Sequence, residues 1–577
     1  MSTPEITINV ERLDDMPLLY GFIKKMGIQT AVDTVIQAHG NWEGLSMGWV
    51  VTIWLIHIAS VYNHRMDRVQ EWVAKHLVSL SQLTGQEVTE LDFTDDRLAV
   101  CLRELHRPSH WRAIESLLGK GLVRVYELAV ERVRLDATVD GVYHESQQDG
   151  LFQVGKNKQG EYERQFKLML ASLDPLGLTL AIDVAAGNRA DDPLYIPCYQ
   201  RVKKILDKDG LLIVGDSKMS ALRTRRVIVT GRDSYLTPLP HDKSEPGLLD
   251  ELLTQLQTSG QALTNVFLPD DLPEDGTEPK PELAIAEGFE VSRKHSVLVG
   301  HKEVSWQERC LVVRSFGYQQ TMQDGLARRL DKAEEALRQL TPEPGRGKRQ
   351  VGDEKSLKAA IARIEKRYKV AGLFRVTYIQ QVQERHIRRH KDRPARTERK
   401  VRFQLEVERN QPAIDQAMFQ AGWRIYLTNA TQEQLSLTKA VLAYRDQYIE
   451  ENIFRRLKGK MLSITPLYVQ RDDHAQGLFH LLSLAARLLA LGDYTARQSL
   501  AKQNEELNGI YPGNPKRSTA KPTMERMLEV FDNINLTLIH LAGQTTCQAT
   551  PLTPTQERIL SLLGLPTTLY TSWTTVV

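Results

Sequence analysis

Three carboxylates in this chain sit where acidic side chains can converge on metal ions: Asp136, Asp216 and Glu451. Phosphoryl transfer on two magnesium ions needs such acids, because one ion activates the attacking oxygen and the other stabilises the leaving oxygen. Magnesium takes a few carboxylates and keeps several waters, so three acids suffice. Asp136 lies within Val133-Arg-Leu-Asp-Ala-Thr-Val139, whose alternation predicts a strand. Asp216 ends Leu211-Leu-Ile-Val-Gly-Asp216, a short apolar run that predicts a buried strand with a carboxylate at its tip. Asp140, Asp183 and Asp191 are alternatives by composition, and a lone aspartate near a strand end is most often a turn or cap residue.

Glu451 falls in a helix predicted over Leu437 to Lys460. Tyr444, Tyr448, Glu451, Arg455 and Lys458 recur at spacings of four and three and form one stripe. Leu442, Ile449, Ile453 and Leu457 make an apolar side for packing. A solvated face held by Glu–Arg and Glu–Lys pairs has the same pattern.

The elements that must position these acids are legible in outline. From Pro17 to Leu118 apolar residues recur at helical spacing, which suits either a plain bundle or a domain that binds DNA ends. Phe166 to Leu173 and Leu178 to Ala185 flank Asp174-Pro-Leu-Gly177 and predict a hairpin. Pro193 to Leu206 reads as a helix before the strand that ends in Asp216. Strand, hairpin, helix and strand in that order predict a mixed sheet with helices, an α/β layer. A long middle section then intervenes, with strands near 290–299 and 310–315 and two charged helices, 326–340 and 355–369, read as a projecting hairpin. Strand character returns at Gly422 to Leu427, and Gly477 to Leu491 reads as an apolar helix before a helical tail.

Between Arg385 and Lys400 lie Arg388, Arg389, Lys391, Arg393, Arg396 and Arg399, opposed only by Asp392 and Glu398. Such a run suits phosphate contacts with salt-dependent affinity, or a solvated surface. Trp306 and Trp423 could stack on an extruded base, though each also suits a core. Lys156, Lys158 and Arg164 suit a phosphate or an exposed hairpin edge, and His474 and His480 are read as core or surface residues.

Bulk properties narrow the class. At 577 residues several domains are expected, and 41% hydrophobic with 25% charged residues is the balance of a soluble globular protein. The net charge of +3 says little about partners. Four scattered cysteines form no CxxC pair, which argues against a zinc cluster or disulfide framework and fits a reducing cytosol. Met1 to Asp15 has no secretory pattern, and the apolar run Gly48 to Val61 is short for a membrane span and is read as a buried helix.

The stretch Tyr444-Arg-Asp-Gln-Tyr-Ile-Glu-Glu451-Asn-Ile-Phe-Arg-Arg-Leu-Lys458 resembles the signature of bacterial DDE transposases of the insertion-sequence-four type. That signature runs Tyr, two residues, Arg, three residues, Glu, six residues, Lys. Tyr444, Glu451 and Lys458 match it in register, while Gln447 stands at the arginine position. Leu135-Asp136-Ala-Thr138, Gly187-Asn188 with Asp191, Val214-Gly-Asp216-Ser-Lys-Met219, Leu427-Thr-Asn429, and Pro466-Leu-Tyr468 with His474 are similar to other pieces of the same group, in the same order.

The resemblance implies an RNase H-like core split by an insertion, cleavage at transposon ends, and strand transfer into target DNA. It assigns Asp136, Asp216 and Glu451 to two Mg2+ or Mn2+ ions. It places Tyr444 and Lys458 on DNA near the cut; the stripe adds Arg455, with Gln447 at the signature's arginine position, and the basic run adds Arg388, Arg389, Arg396 and Arg399 as expected DNA contacts. The expected domains are a helical, DNA-end-binding one over 1–130, a first core part over 131–240, an insertion with strands and a helical hairpin arm over 241–435, a second core part over 436–500 and a helical tail over 501–577. Double-stranded DNA is the expected partner, a homodimer the expected assembly on it, and the bacterial cytoplasm, close to the nucleoid, the expected location. A nuclease of the same fold without strand transfer and an inactive DNA-binding descendant are the alternatives.

Overall fold

The computed structural model describes residues 6–37, 40–145, 148–157, 159–240, 245–273, 277, 279–299, 302–342, 351–388, 394–541, 544–573 and 575–576. The chain divides into two compact units. The first comprises 1–237, 296–306 and 443–577, and the second 238–295 and 307–442.

The first unit opens with strand β1 (Ile6–Arg12) and helices α1 (Met16–Met26), α2 (Ile28–Val35), α3 (Met47–Val61), α4 (Met66–Ala74), α5 (Leu77–Thr84), α6 (Asp95–His106) and α7 (Pro108–Val125). The apolar run of α3 is buried nearly throughout, because a helix apolar on all sides has no face to give to water. Next come β2 (Arg132–Gly141), β3 (Gln153–Lys156), β4 (Tyr162–Asp174), β5 (Leu178–Ala186), α8 (Asp192–Leu206), β6 (Leu212–Gly215), α9 (Leu222–Thr230) and β7 (Ser234–Pro238).

These strands form one mixed sheet. β4 pairs antiparallel with β2 on one edge; on the other it pairs with β3 and then β5. β6 pairs parallel with β2, and β7 parallel with β6. The path β5-β4-β2-β6-β7 thus has an antiparallel half and a parallel half, with α8 as the crossover between them.

The second unit holds α10 (Leu248–Ser259), β8 (Thr264–Val266), β9 (Ala286–Val299), β10 (Lys302–Ser315), α11 (Phe316–Arg338), α12 (Glu354–Tyr368), β11 (Phe374–Ile387), β12 (Arg396–Arg409), α13 (Gln411–Gln420) and β13 (Trp423–Thr428), the outer part of the β9–β10 hairpin counting with the first unit. Its helical core gathers Leu326, Leu330, Ala333, Leu337, Val370, Phe374 and Ile414. Arg385 and Lys400, the two ends of the basic run, belong to a two-stranded antiparallel ribbon, β11 paired with β12 in unbroken register from Phe374↔Arg409 to Ile387↔Arg396.

The chain then passes through α14 (Leu437–Arg445) into α15 (Tyr448–Lys458), α16 (Asp472–Gln503), α17 (Met524–Glu529), β14 (Asn535–Leu541), β15 (Gln544–Ala549), α18 (Pro554–Leu562), α19 (Thr568–Thr571) and β16 (Thr575–Val576). Two expectations need correction. The tail is not helical throughout: β14 pairs with both β1 and β15 in an antiparallel sheet. Alternation explains it, since Leu536 and Leu538 on β14 and Cys547 on β15 turn inward and are buried. The helix expected over Leu437 to Lys460 is broken in two. The carbonyl of Ala443 accepts from the Arg134 guanidinium, while the Gln447 amide turns back to Tyr444 O at 3.2 Å. A tight turn therefore replaces a helical step.

Among the described residues α16 is the one helix long and apolar enough to cross a membrane, and 94% of its apolar window is buried inside the protein. It runs against α6 so closely that a Cβ on Gly477 would come within 2.1 Å of Leu102 O. A buried cluster ties the N-terminal helices to the sheet: Glu115 on α7 meets Arg201 on α8 and Arg487 on α16, and accepts from the Ile182 amide of β5.

Candidate active site

β2 presents its even-numbered residues to one face and its odd ones, Val133 and Leu135, to the core on the other. The parallel register with β6 runs through Leu135↔Gly215, so the next pair along the two strands is Asp136 and Asp216. Adjacent strands are about 4.8 Å apart, and two like charges brought to one rim repel each other. Both side chains are half-buried. An arrangement that holds two acids together at the rim of a sheet needs donors or a cation to offset that repulsion.

Some donors are in place. Asp136 Oδ1 accepts from the Ala137 amide at 2.8 Å. Asp216 Oδ1 accepts from the Lys218 amide at 2.9 Å and from the Tyr195 hydroxyl at 2.6 Å. Tyr195 is buried on α8, and burial, reinforced by the charges of Asp216 and Asp136, pushes its phenol well above the ordinary range. It therefore stays protonated and remains a donor.

The other aspartates weighed from composition are engaged elsewhere. Asp191 lies between Lys167 and Lys218, Asp183 pairs with Arg201, and Asp140 accepts from Thr465 Oγ1 at 3.2 Å.

Two neighbouring glutamates arrive on α15, and they face different ways. Glu451 is exposed, as are Tyr448 and Arg455. Lys458, seven residues on and on the same stripe, donates to Val139 O near the end of β2. Glu450 is buried and accepts from Ser172 Oγ on β4. Its carboxyl is pushed up to about 8, first by burial and then by the charge of Asp136. Its Oε2 is buried without a hydrogen-bond partner. Sequence reasoning missed Glu450, since the stripe singled out its neighbour; its place one turn before Ile453 and Phe454, on the packing side, is the signal that was there.

Tyr444 stands on α14, separated by the turn from the rest of its stripe, and Gln447 occupies the N-cap position of α15 without a side-chain capping bond. A cleft of about 400 Å³ lies beside α15, its walls including Tyr448, Arg455 and Lys460. On the ribbon, Arg388 follows β11, Arg399 is exposed on β12, and Arg396 pairs in register with Ile387. Arg389, Lys391, Arg393 and Lys158 lie outside the described residues. Trp306 is buried and donates to the Tyr235 hydroxyl at 2.9 Å; Trp423 is buried with Arg314 over its ring. Neither ring is open to a base. His480 is buried against Trp111, with ring centroids 4.3 Å apart.

Among the described residues no group of three or more His, Cys, Asp or Glu side chains is gathered closely enough to hold a metal ion. The donor chemistry nonetheless fits a hard divalent cation. Asp136 and Asp216 follow the last registered pair of β2 and β6, and Glu450, within electrostatic reach of Asp136, carries a buried oxygen with no hydrogen-bond partner.

Residues 8–119 match a family described as a domain of unknown function, DUF4277. No curated protein matches the chain. A solved structure, the cryo-EM structure of the piggyBac transposase synaptic complex with hairpin DNA, is similar with a TM-score of 0.24 and 11% identity, over 41% of this chain and 54% of that chain. The chain thus spans about half of that relative, and a TM-score this low carries no argument about fold or function.

Proposed function

We propose that this chain is a transposase that cuts DNA at the ends of a mobile element and joins them to target DNA, using metal ions held by Asp136, Asp216 and a glutamate of α15. The observation that carries the reading is the parallel register of β2 and β6, whose last pair, Leu135↔Gly215, is followed along the two chains by Asp136 and Asp216. The strand path β5-β4-β2-β6-β7, antiparallel then parallel, supports an RNase H-like core, interrupted between β7 and α15 by the second unit. The Tyr444, Glu451, Lys458 spacing supports the same reading from the sequence.

When bound, magnesium or manganese would supply Lewis-acid stabilisation of the charge that develops on the phosphate. The chain's own residues do the rest. Tyr195 and the Lys218 amide orient Asp216, leaving its second oxygen for a ligand. Lys458, by contacting β2, fixes the rotation of α15 and so the outward aim of Glu451. Arg455, one turn beyond Glu451 on the exposed stripe, is the cation that can meet a phosphate where Gln447 cannot neutralise one.

Glu451 is taken as the third acid because it is in register with Lys458 and open to solvent. A second reading gives that role to Glu450, on the strength of its unpartnered Oε2 and its proximity to Asp136. Cleavage by the purified Glu450→Gln and Glu451→Gln variants separates them: the first reading expects cutting to survive only in Glu450→Gln. A joining assay with labelled ends separates a transposase from a nuclease, since only the former produces strand-transfer product.

A further inference from the structure

The β11–β12 ribbon has two unlike faces. Phe374, Val376, Tyr378 and Phe403 lie on the side that packs against the helical core, with Phe403 buried and its ring edge-on to Tyr378. Strand alternation turns Gln381, Gln383 and Arg385 to the other side, and directly paired residues share a face. The register therefore sets Arg402 beside Gln381 and Lys400 beside Gln383, with Gln404 next in line. The Gln381 amide reaches the Gln404 side chain at 3.5 Å, as expected for one face. All but the half-buried Arg402 are exposed.

From Ile379 to Gln404 the chain carries nine arginines and lysines against three acids. That balance suits a polyanion. The shape narrows the choice: nine residues of β11 from Ile379 span roughly 30 Å, and the major groove of B-DNA, about 12 Å wide, admits a two-stranded ribbon. The side-chain chemistry narrows it further. Glutamine makes paired hydrogen bonds to adenine N6 and N7, and arginine or lysine does so to guanine O6 and N7.

We propose that this ribbon is a sequence-reading element that lies in the major groove of duplex DNA, with Gln381, Gln383, Lys400 and Arg402 on base edges. The proposal deepens the transposase reading by giving the second unit a base-reading role. Arg399, opposite Glu384 on the other face, is left to phosphates.

The test selects bound duplexes from a randomised B-DNA library with the full-length protein in chelator, where no cutting occurs. The wild type is expected to enrich a motif containing adenines and guanines. Gln381→Ala with Gln383→Ala should lose about tenfold discrimination at the positions they read, while binding unselected duplex within about twofold of wild type. Gln381→Arg should change one preferred adenine to guanine. Arg399→Ala should weaken binding to all sequences alike and lower the salt slope by about 0.9. The proposal is overturned if the wild type enriches nothing, if the glutamine variants keep the wild-type motif, or if an RNA duplex of the selected sequence competes equally, because the A-form major groove is too narrow to read. Binding is read without cleavage, so a protein that selects its motif but never cuts would contradict the transposase reading and leave this one standing.

Discussion

The hydroxyl of Tyr195 donates to Asp216 Oδ1 at 2.6 Å, so a residue in the crossover helix α8 fixes the aim of an acid at the tip of β6. A hydrogen bond to a charged group contributes about 1.5–3 kcal/mol. Tyr195→Phe keeps the ring and loses the donor. The expected result is cleavage slowed about tenfold, with a higher magnesium concentration needed for half-maximal rate and unchanged DNA affinity. An unaltered magnesium requirement would make Tyr195 a packing residue only.

Glu450 gives a pH prediction whose sign follows from its raised pKa. Between the ordinary glutamate value of 4.5 and about 8, the folded protein holds a proton that the unfolded chain has released. Stability from this group is therefore present at pH below 4.5 and is lost as pH rises through 8. Glu450→Gln mimics the protonated form, so its melting temperature should exceed that of wild type at pH 8 and converge on it near pH 5. The gain can reach roughly 5 kcal/mol at most. Parallel curves for the two proteins across that range would show that Glu450 ionises freely.

The exposed stripe of α15 makes a third prediction. Arg455→Ala should slow single-turnover cleavage strongly, whereas Gln447→Ala should do little, since the Gln447 side chain makes no capping hydrogen bond to α15 and carries no charge. Neither change should unfold the protein, because Arg455 is exposed and Gln447 is only half-buried. A crippled Gln447→Ala beside a silent Arg455→Ala would mean that the glutamine itself holds the phosphate.

How much of this could be read in the sequence differs from element to element. Val133 to Val139 and Leu211 to Asp216 read as strands because alternation and a short apolar run are local signals, and the structure has β2 and β6 there. The hairpin around Asp174 to Gly177 was equally legible from its turn residues. What pairs with what was not: the antiparallel β1–β14 contact joins residues at opposite ends of the chain, and no local pattern encodes it. The break between α14 and α15 was also hidden, since it depends on Arg134, far off in sequence, taking the Ala443 carbonyl. Glu450 escaped for a related reason. Periodicity separates two faces of a helix, and only the fold says that Asp136 lies under one of them.

The claim at the centre of this account is that Asp136 and Asp216 together hold the metal that drives DNA cutting. It is tested most directly by single-turnover cleavage of duplexes carrying the DNA that flanks the coding sequence on each side, measured for wild type, Asp136→Ala and Asp216→Ala with magnesium, manganese or excess chelator. The account predicts cutting by wild type with either metal, none in chelator, and none by either variant although both fold and bind the duplex. Cleavage at near-normal rate by either alanine variant, or by wild type in chelator, would contradict it.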